Sequence, residues 1–165
     1  MSLDGFITGP NDRIEAPLGE NGDLLHEWIY ELASWRESHD VEGGIENADS
    51  ALMAESISNI GATVMGKRMF VLGEEPWGDN PPFHTPVFVV THHARAPIAK
   101  EGGTSYIFVT DGLPAAMDQA RAAAGDKDVS VAGGANIIQQ CLKADILDDL
   151  QIHIVPLLLG EGRNI

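Results

Sequence analysis

The spacing of hydrophobic positions changes near residue 60 and separates two parts of the chain. Beyond that point, short apolar runs end at Gly, Thr or Ala and are followed by stretches with helical spacing. The runs predict buried strands at residues 62–65, 86–91, 106–110 and 129–132. Helices are predicted at 67–72, 113–124 and from the last strand to about 143. Alternating strands and helices predict an α/β fold, with three α/β/α layers around a mostly parallel sheet.

The first part of the chain has helical periodicity instead. Residues 23–38 predict one amphipathic helix, and residues 48–60 predict a second, weaker one. Residues 2–7 predict the end of a strand, which leads into a turn-rich loop at 8–12. Near the other end, residues 149–156 alternate with period two and predict a strand with one more polar face.

Composition narrows the class of protein. With 165 residues and 44% hydrophobic content, the chain is expected to form one soluble domain, residues 1–165, that does not enter a membrane. No leader pattern is seen at the first residues, so we expect a cytoplasmic protein. A net charge of −15 argues against nucleic-acid binding. Cys141 is the only cysteine, and the histidines lack metal-ligand spacing, so we predict no metal.

A glycine pair follows the run at residues 128–132 and precedes a predicted helix. Gly133 and Gly134 are first of all a turn signal. A buried strand, a glycine turn and a helix start together also place backbone N–H groups where a phosphate binds. Neither the G-x-G-x-x-G nor the P-loop pattern is present, so the standard Rossmann and P-loop interpretations do not apply.

Four segments occur in an order that resembles a known family: residues 2–7, 61–70, 131–136 and 150–160. Together they are similar to the dihydrofolate reductase-like proteins, in the branch that resembles the reductase (RibD C-terminal) domain of bacterial riboflavin biosynthesis. Relatives usually have strand residues before the first segment and a closing pair of strands after the last. We therefore expect a chain trimmed at both ends.

The resemblance implies NADPH as cofactor, bound across the carboxyl ends of the strands. The glycine turn would hold the pyrophosphate, the loop at 66–69 the 2′-phosphate, and the loop at 91–92 the adenine end. The implied cofactor-binding residues are Gly66, Lys67, Arg68, Met69, Thr91, His92, Gly133, Gly134, Ala135, Asn136 and Ile137.

On the substrate side, Asp4 would hydrogen-bond an aminopyrimidine or pterin-like ring and is the candidate catalytic residue. Phe6 and Trp28 would cover the face of that ring. In dihydrofolate reductases proper, a carboxylate on the first helix donates the proton; Glu27 and Glu31 are on the predicted helix here, but neither is aligned with that carboxylate. The resemblance also implies a homodimer and a lid formed by the loop at 8–12.

The expected function is thus an NADPH-dependent reductase, an oxidoreductase that transfers hydride to a small pterin, flavin-precursor or aminopyrimidine substrate. Two alternatives stay open. One is a non-catalytic nucleotide-binding or dimerising module of the same fold. The other is a flavodoxin-like flavin carrier, which needs a phosphate loop after the first strand; residues 5–9 suit that role poorly.

Overall fold

The computed structural model describes all of residues 1–165, and its regular elements cluster between residues 48 and 143. The strands are β1 (Phe6–Thr8), β2 (Ile60–Gly66), β3 (Pro86–Val90), β4 (Ile98–Ala99), β5 (Ser105–Val109), β6 (Asp128–Gly133) and β7 (Arg163–Asn164). The helices are α1 (Glu27–Tyr30), α2 (Ala33–Ser38), α3 (Ala48–Asn59), α4 (Lys67–Gly73), α5 (Gly112–Ala124) and α6 (Ala135–Lys143). Short 3-10 turns occur at Gly22–Leu25 and Glu101–Gly103.

Five strands form one sheet in the order β4-β5-β3-β2-β6. Four of them run parallel, and only the two-residue β4 is antiparallel, at one edge beside β5. The predicted α/β class, the parallel sheet and the four apolar strands are therefore confirmed. β4 was not predicted, because two residues are too few to show a period.

The sheet separates two hydrophobic clusters, because successive side chains of a strand point to opposite faces. Val64 and Phe88 join the cluster under α5 and α6, where Ala116, Ala120 and Cys141 are fully buried. The other face carries Met65, Val87, Val89, Phe70 and Tyr106. Layers on both faces of a parallel sheet explain why its strands are apolar throughout.

The continuous helix predicted over residues 23–38 is wrong, because the chain there forms a 3-10 turn, α1 and α2 instead. Leu32 interrupts the helix with extended backbone angles, φ −71° and ψ 138°. The amide of Ala33 donates to the carbonyl of Ile45, 3.0 Å away, instead of continuing a helical ladder. Leu25 and Leu32 are still buried, so the apolar periodicity described their burial and not the backbone between them.

The strand predicted over residues 149–156 is also wrong, since this segment has no regular secondary structure. Its backbone bonds instead to the first residues: the amide of Val155 donates to Met1 O (2.8 Å), and the amide of Leu3 to Leu157 O (2.8 Å). Near residues 2–7 the strand is confined to β1, which pairs antiparallel with β7 in a separate two-stranded sheet. None of the helices has the length and apolar character needed to cross a bilayer.

Candidate functional site

The carboxyl ends of three adjacent parallel strands face one cleft. β2 ends at Gly66, β3 at Val90 and β6 at Gly133, and their registers place Gly66 opposite Val90 and Met65 opposite Gly133. The cleft has a volume of about 2200 Å³ and is lined by 60 residues, because it continues from these strand ends along the sheet edge to Ile60 and Asp128 at the amino ends of β2 and β6. All of the residues that the sequence assigned to cofactor binding lie on its wall, together with Trp28.

Three glycines shape this wall in different ways. Gly133 has φ +127°, which favours glycine, and a Cβ there would lie 3.4 Å from the Sδ of Met69. A Cβ on Gly66 would lie 2.9 Å from Cγ1 of Ile137, so β2 and α6 pack closely only without one. At Gly134 a Cβ would meet nothing within 4 Å, and the turn is therefore open on that side. The peptide bond between Gly133 and Gly134 is cis.

The first turn of α6 presents unpaired backbone donors. The amides of Ile137 and Ile138 both donate to Gly134 O, at 2.9 and 3.3 Å. Ala135 and Asn136 are the first two residues of α6, so the helix itself offers their amides no carbonyl four residues earlier. These donors lie at the positive end of a nine-residue helix, a setting that attracts anions.

The two cations at the start of α4 differ in their surroundings. Lys67 is exposed and makes no ion pair. Arg68 is bound to Asp12 twice: its Nε lies 2.6 Å from Oδ2, and its Nη2 lies 2.7 Å from the backbone carbonyl. Arg163 of β7 donates to the same carboxylate from Nε and Nη2, at 3.0 and 2.8 Å from Oδ1.

Asp12 and Arg163 line the cleft too, although sequence reasoning did not select them. The side chain of Asp12 is only 6% exposed. Its burial alone would raise the pKa, but the hydrogen bonds and charges of Arg68 and Arg163 outweigh burial and hold the pKa at about 2. No local pattern could have revealed this contact, because the partners are 56 and 151 residues away along the chain.

The loop after β3 turns at Thr91, whose side chain bonds to the backbone of the same loop. Thr91 is buried, its amide donates to Val109 O at 3.0 Å, and its Oγ1 accepts from the amide of His93 at 3.1 Å. His92 is exposed on the cleft wall. The fixed turn at Thr91 thus determines where the adjacent imidazoles lie.

The predicted substrate residues are separated. Trp28 lines the cleft and stacks on His153, with ring centroids 4.9 Å apart and an interplanar angle of 29°. Asp4 and Phe6 do not line the cleft, and neither do Glu27 and Glu31.

Asp4 instead holds the turn at residues 159–160. Its carboxylate accepts the amides of Leu159 (3.1 Å) and Gly160 (2.7 Å). Bonds from the Ser2 side chain and from the Gly160 amide lower the pKa of Asp4 to about 2. The catalytic role of Asp4 stays a prediction, while the geometry gives the residue a structural contact that the sequence did not reveal.

The chain forms a mostly parallel sheet covered by helices, with a cleft where the strands end, a glycine turn and the start of a helix. These features place the protein in the α/β class. The RibD C-terminal domain family matches residues 1–165, and the chain belongs to that family. A crystal structure of a Shewanella sp. PV-4 protein, provisionally named a riboflavin biosynthesis protein, has a TM-score of 0.62 and 22% sequence identity. The match covers 99% of this chain and 77% of that one, and it supports the fold. No curated protein gives a significant match.

Proposed function

We propose that this domain is an NADPH-dependent reductase that acts on a small pterin, flavin-precursor or aminopyrimidine substrate. One observation carries the proposal: the parallel register of β2, β3 and β6 brings side by side the three loops that the family resemblance selects as cofactor-binding, and all three open on one cleft. Membership in the RibD C-terminal domain family supports a riboflavin-pathway reductase-like protein. NADPH, when bound, would supply the hydride.

The residues present suit the pyrophosphate of a dinucleotide. The first-turn amides of Ala135 and Asn136 would donate to its oxygens, and the open side of Gly134 leaves room for close approach. Packing of Gly66 against Ile137 fixes the distance between this turn and the loop that carries Lys67. The protein's part is then to bind, orient and shield the reacting groups from water.

Lys67 and Arg68 would distinguish NADPH from NADH through the 2′-phosphate. Charge-assisted hydrogen bonds contribute about 1.5–3 kcal/mol each, so their loss should weaken NADPH at least about tenfold. NADH lacks the 2′-phosphate and should bind nearly as before. We would measure both affinities by cofactor fluorescence for the wild type and for Lys67→Ala with Arg68→Ala.

A matched control is Arg13→Ala with Lys127→Ala, which removes the same charge from two exposed residues outside the cleft wall. This pair should leave the NADPH-to-NADH ratio unchanged. Equal losses for both cofactors in the Lys67 and Arg68 variant would refute the 2′-phosphate role. No NADPH binding by the folded wild type would refute the proposed function.

A second candidate, a non-catalytic nucleotide-binding module, is favoured by one observation: the carboxylates considered for catalysis, Asp4, Glu27 and Glu31, lie off the cleft wall. NADPH oxidation with any of a panel of pterins, flavins and aminopyrimidines would exclude it. Tight binding without turnover across the panel would support it. The homodimer implied by the resemblance stays a prediction that light scattering would test.

A further inference from the structure

Two arginines are held on one buried carboxylate inside the cleft. Asp12, Arg68 and Arg163, here called the Asp12 cluster, come from the loop after β1, from α4 and from β7. We propose that the Asp12 cluster binds a phosphate group of the ligand, with Arg163 as a binding residue and Asp12 as the residue that positions both guanidinium groups. The proposal rests on the proposed function, because the phosphate would belong either to the nucleotide cofactor or to a phosphorylated substrate bound in the same cleft.

The shared carboxylate keeps the two guanidinium groups adjacent. Arg68 bonds to Oδ2 at 2.6 Å, while Arg163 bonds to Oδ1 of the same group at 2.8 and 3.0 Å. The bond from Arg68 Nη2 to the Asp12 carbonyl fixes the plane of the first guanidinium further. Three segments far apart in the chain therefore present two planar donors side by side.

Both arginines keep donors free for a ligand. Nη1 of Arg68 and Nη1 of Arg163 have no acceptor in the protein. The two side chains are 56% and 46% exposed, whereas that of Asp12 is 6% exposed. A ligand in the cleft would thus meet the guanidinium groups before it meets the carboxylate.

The charge of the Asp12 cluster favours an anion. Two cations and one carboxylate leave one positive charge, beside the unpaired Lys67, in a chain whose net charge is −15. Guanidinium groups bind phosphate through paired N–H donors. Because both side chains are already ordered by Asp12, less side-chain entropy is lost on binding.

The first test uses the wild type and inorganic phosphate. In a ¹⁵N spectrum of the arginine Nε–H groups, phosphate should shift the signals of Arg68 and Arg163. Those of Arg13, Arg36, Arg95 and Arg121 should stay within the change that chloride causes at equal ionic strength. Equal shifts at all of the arginines, or none beyond the chloride control, would overturn the proposal.

The second test identifies the source of the phosphate with Arg163→Gln. If the cofactor brings it, binding of 2′,5′-ADP should weaken about tenfold or more, with 5′-AMP little changed. If the substrate brings it, ribose 5-phosphate should weaken instead. If Arg163→Gln loses no more affinity for any probe than the control Arg13→Gln does, the role of Arg163 is overturned. Arg163→Lys, which keeps the charge, provides an intermediate loss if the Gln variant folds poorly.

The positioning role of Asp12 has its own readout. Asp12→Asn makes the cluster more positive, so simple electrostatics predicts tighter phosphate binding. Weaker binding despite the added charge supports positioning, and tighter binding would overturn it. If NADPH does not bind at all, the proposed function fails, while the phosphate spectrum still decides this inference.

Discussion

The sheet region, residues 60–143, and the two flanking segments, residues 1–59 and 144–165, are stabilised in different ways. In the sheet region, fully buried side chains such as Val64, Val87 and Val89 fill both faces of a parallel sheet. In the flanks, apolar side chains such as Leu158 (69% exposed) and Ile154 (62% exposed) remain outside, and ordering depends on hydrogen bonds between distant residues. The core is thus stabilised by burial throughout, whereas the flanks bury few apolar side chains, Leu25 and Leu32 among them, and depend more on polar contacts.

The largest change in the free energy of unfolding is expected when a buried leucine is shortened to alanine. Leu113 is 5% exposed in the cluster under α5, so Leu113→Ala should lower the free energy of unfolding by about 3 kcal/mol. The same change at Leu158 should cost less than about 0.5 kcal/mol. Chemical denaturation of both variants measures the difference. Similar losses would show that the flank is buried as the core is.

The next effect concerns the contact that attaches the first flank. Asp12→Asn leaves two guanidinium groups without their carboxylate and should cost about 2 kcal/mol. Hydrogen exchange should accelerate most in the loop after β1 and around β7. Glu20→Gln is the control, because Glu20 only accepts from Asn11 on the exposed surface (3.1 Å). If Glu20→Gln lowered the free energy of unfolding as much as Asp12→Asn does, the Asp12 contact would stabilise the fold no more than an exposed hydrogen bond.

Low pH should weaken the ion pairs that Asp12 makes with Arg68 and Arg163. The folded pKa of Asp12 is about 2 and lies below the unfolded value of about 3.9. Its stabilising contribution is therefore complete above about pH 4 and is lost as the pH falls through about 2, a change of about 1–2 kcal/mol after solvent screening. Urea unfolding across this range should show a smaller decline in Asp12→Asn than in the wild type. Identical declines would contradict the assignment.

The smallest effect is expected at Asp4. Asp4 is exposed, and an amide oxygen could still accept the amides of Leu159 and Gly160. Asp4→Asn should therefore lower Tm less than Asp12→Asn and leave NADPH affinity unchanged. A large loss of NADPH affinity would place Asp4 at the cofactor, contrary to the geometry.

Sequence reasoning succeeded where burial controls the backbone. The strands β2, β3, β5 and β6 lie within two residues of the predicted runs, because strands covered on both faces are apolar throughout. It failed at residues 23–38 and 149–156, where tertiary contacts decide the backbone: the bond from Ala33 to Ile45 and that from Val155 to Met1. Periodicity reports which side chains are buried, not which backbone partner is present.

The residues of the candidate site also fall into two groups, those with a local signal in the sequence and those without one. The glycine turn and the residues that follow β2 and β3 could be selected locally, because each comes directly after a recognisable strand. The ion pairs of Asp12 with Arg68 and Arg163 could not, because the loop after β1 and β7 meet only in the folded chain. The family resemblance places Asp4 and Phe6 on the substrate side, a role that stays a prediction, and neither residue lines the cleft.

Backbone amide shifts on addition of NADPH would show whether the cofactor binds where the three parallel strands end. We expect the largest changes at the ends of β2, β3 and β6: residues 66–69, 91–92 and 133–137. Gly43 and Gly125, which do not line the cleft, should show almost none. Saturable changes at the three strand ends would support an NADPH site there. No saturable change, or changes confined to other parts of the surface, would contradict it.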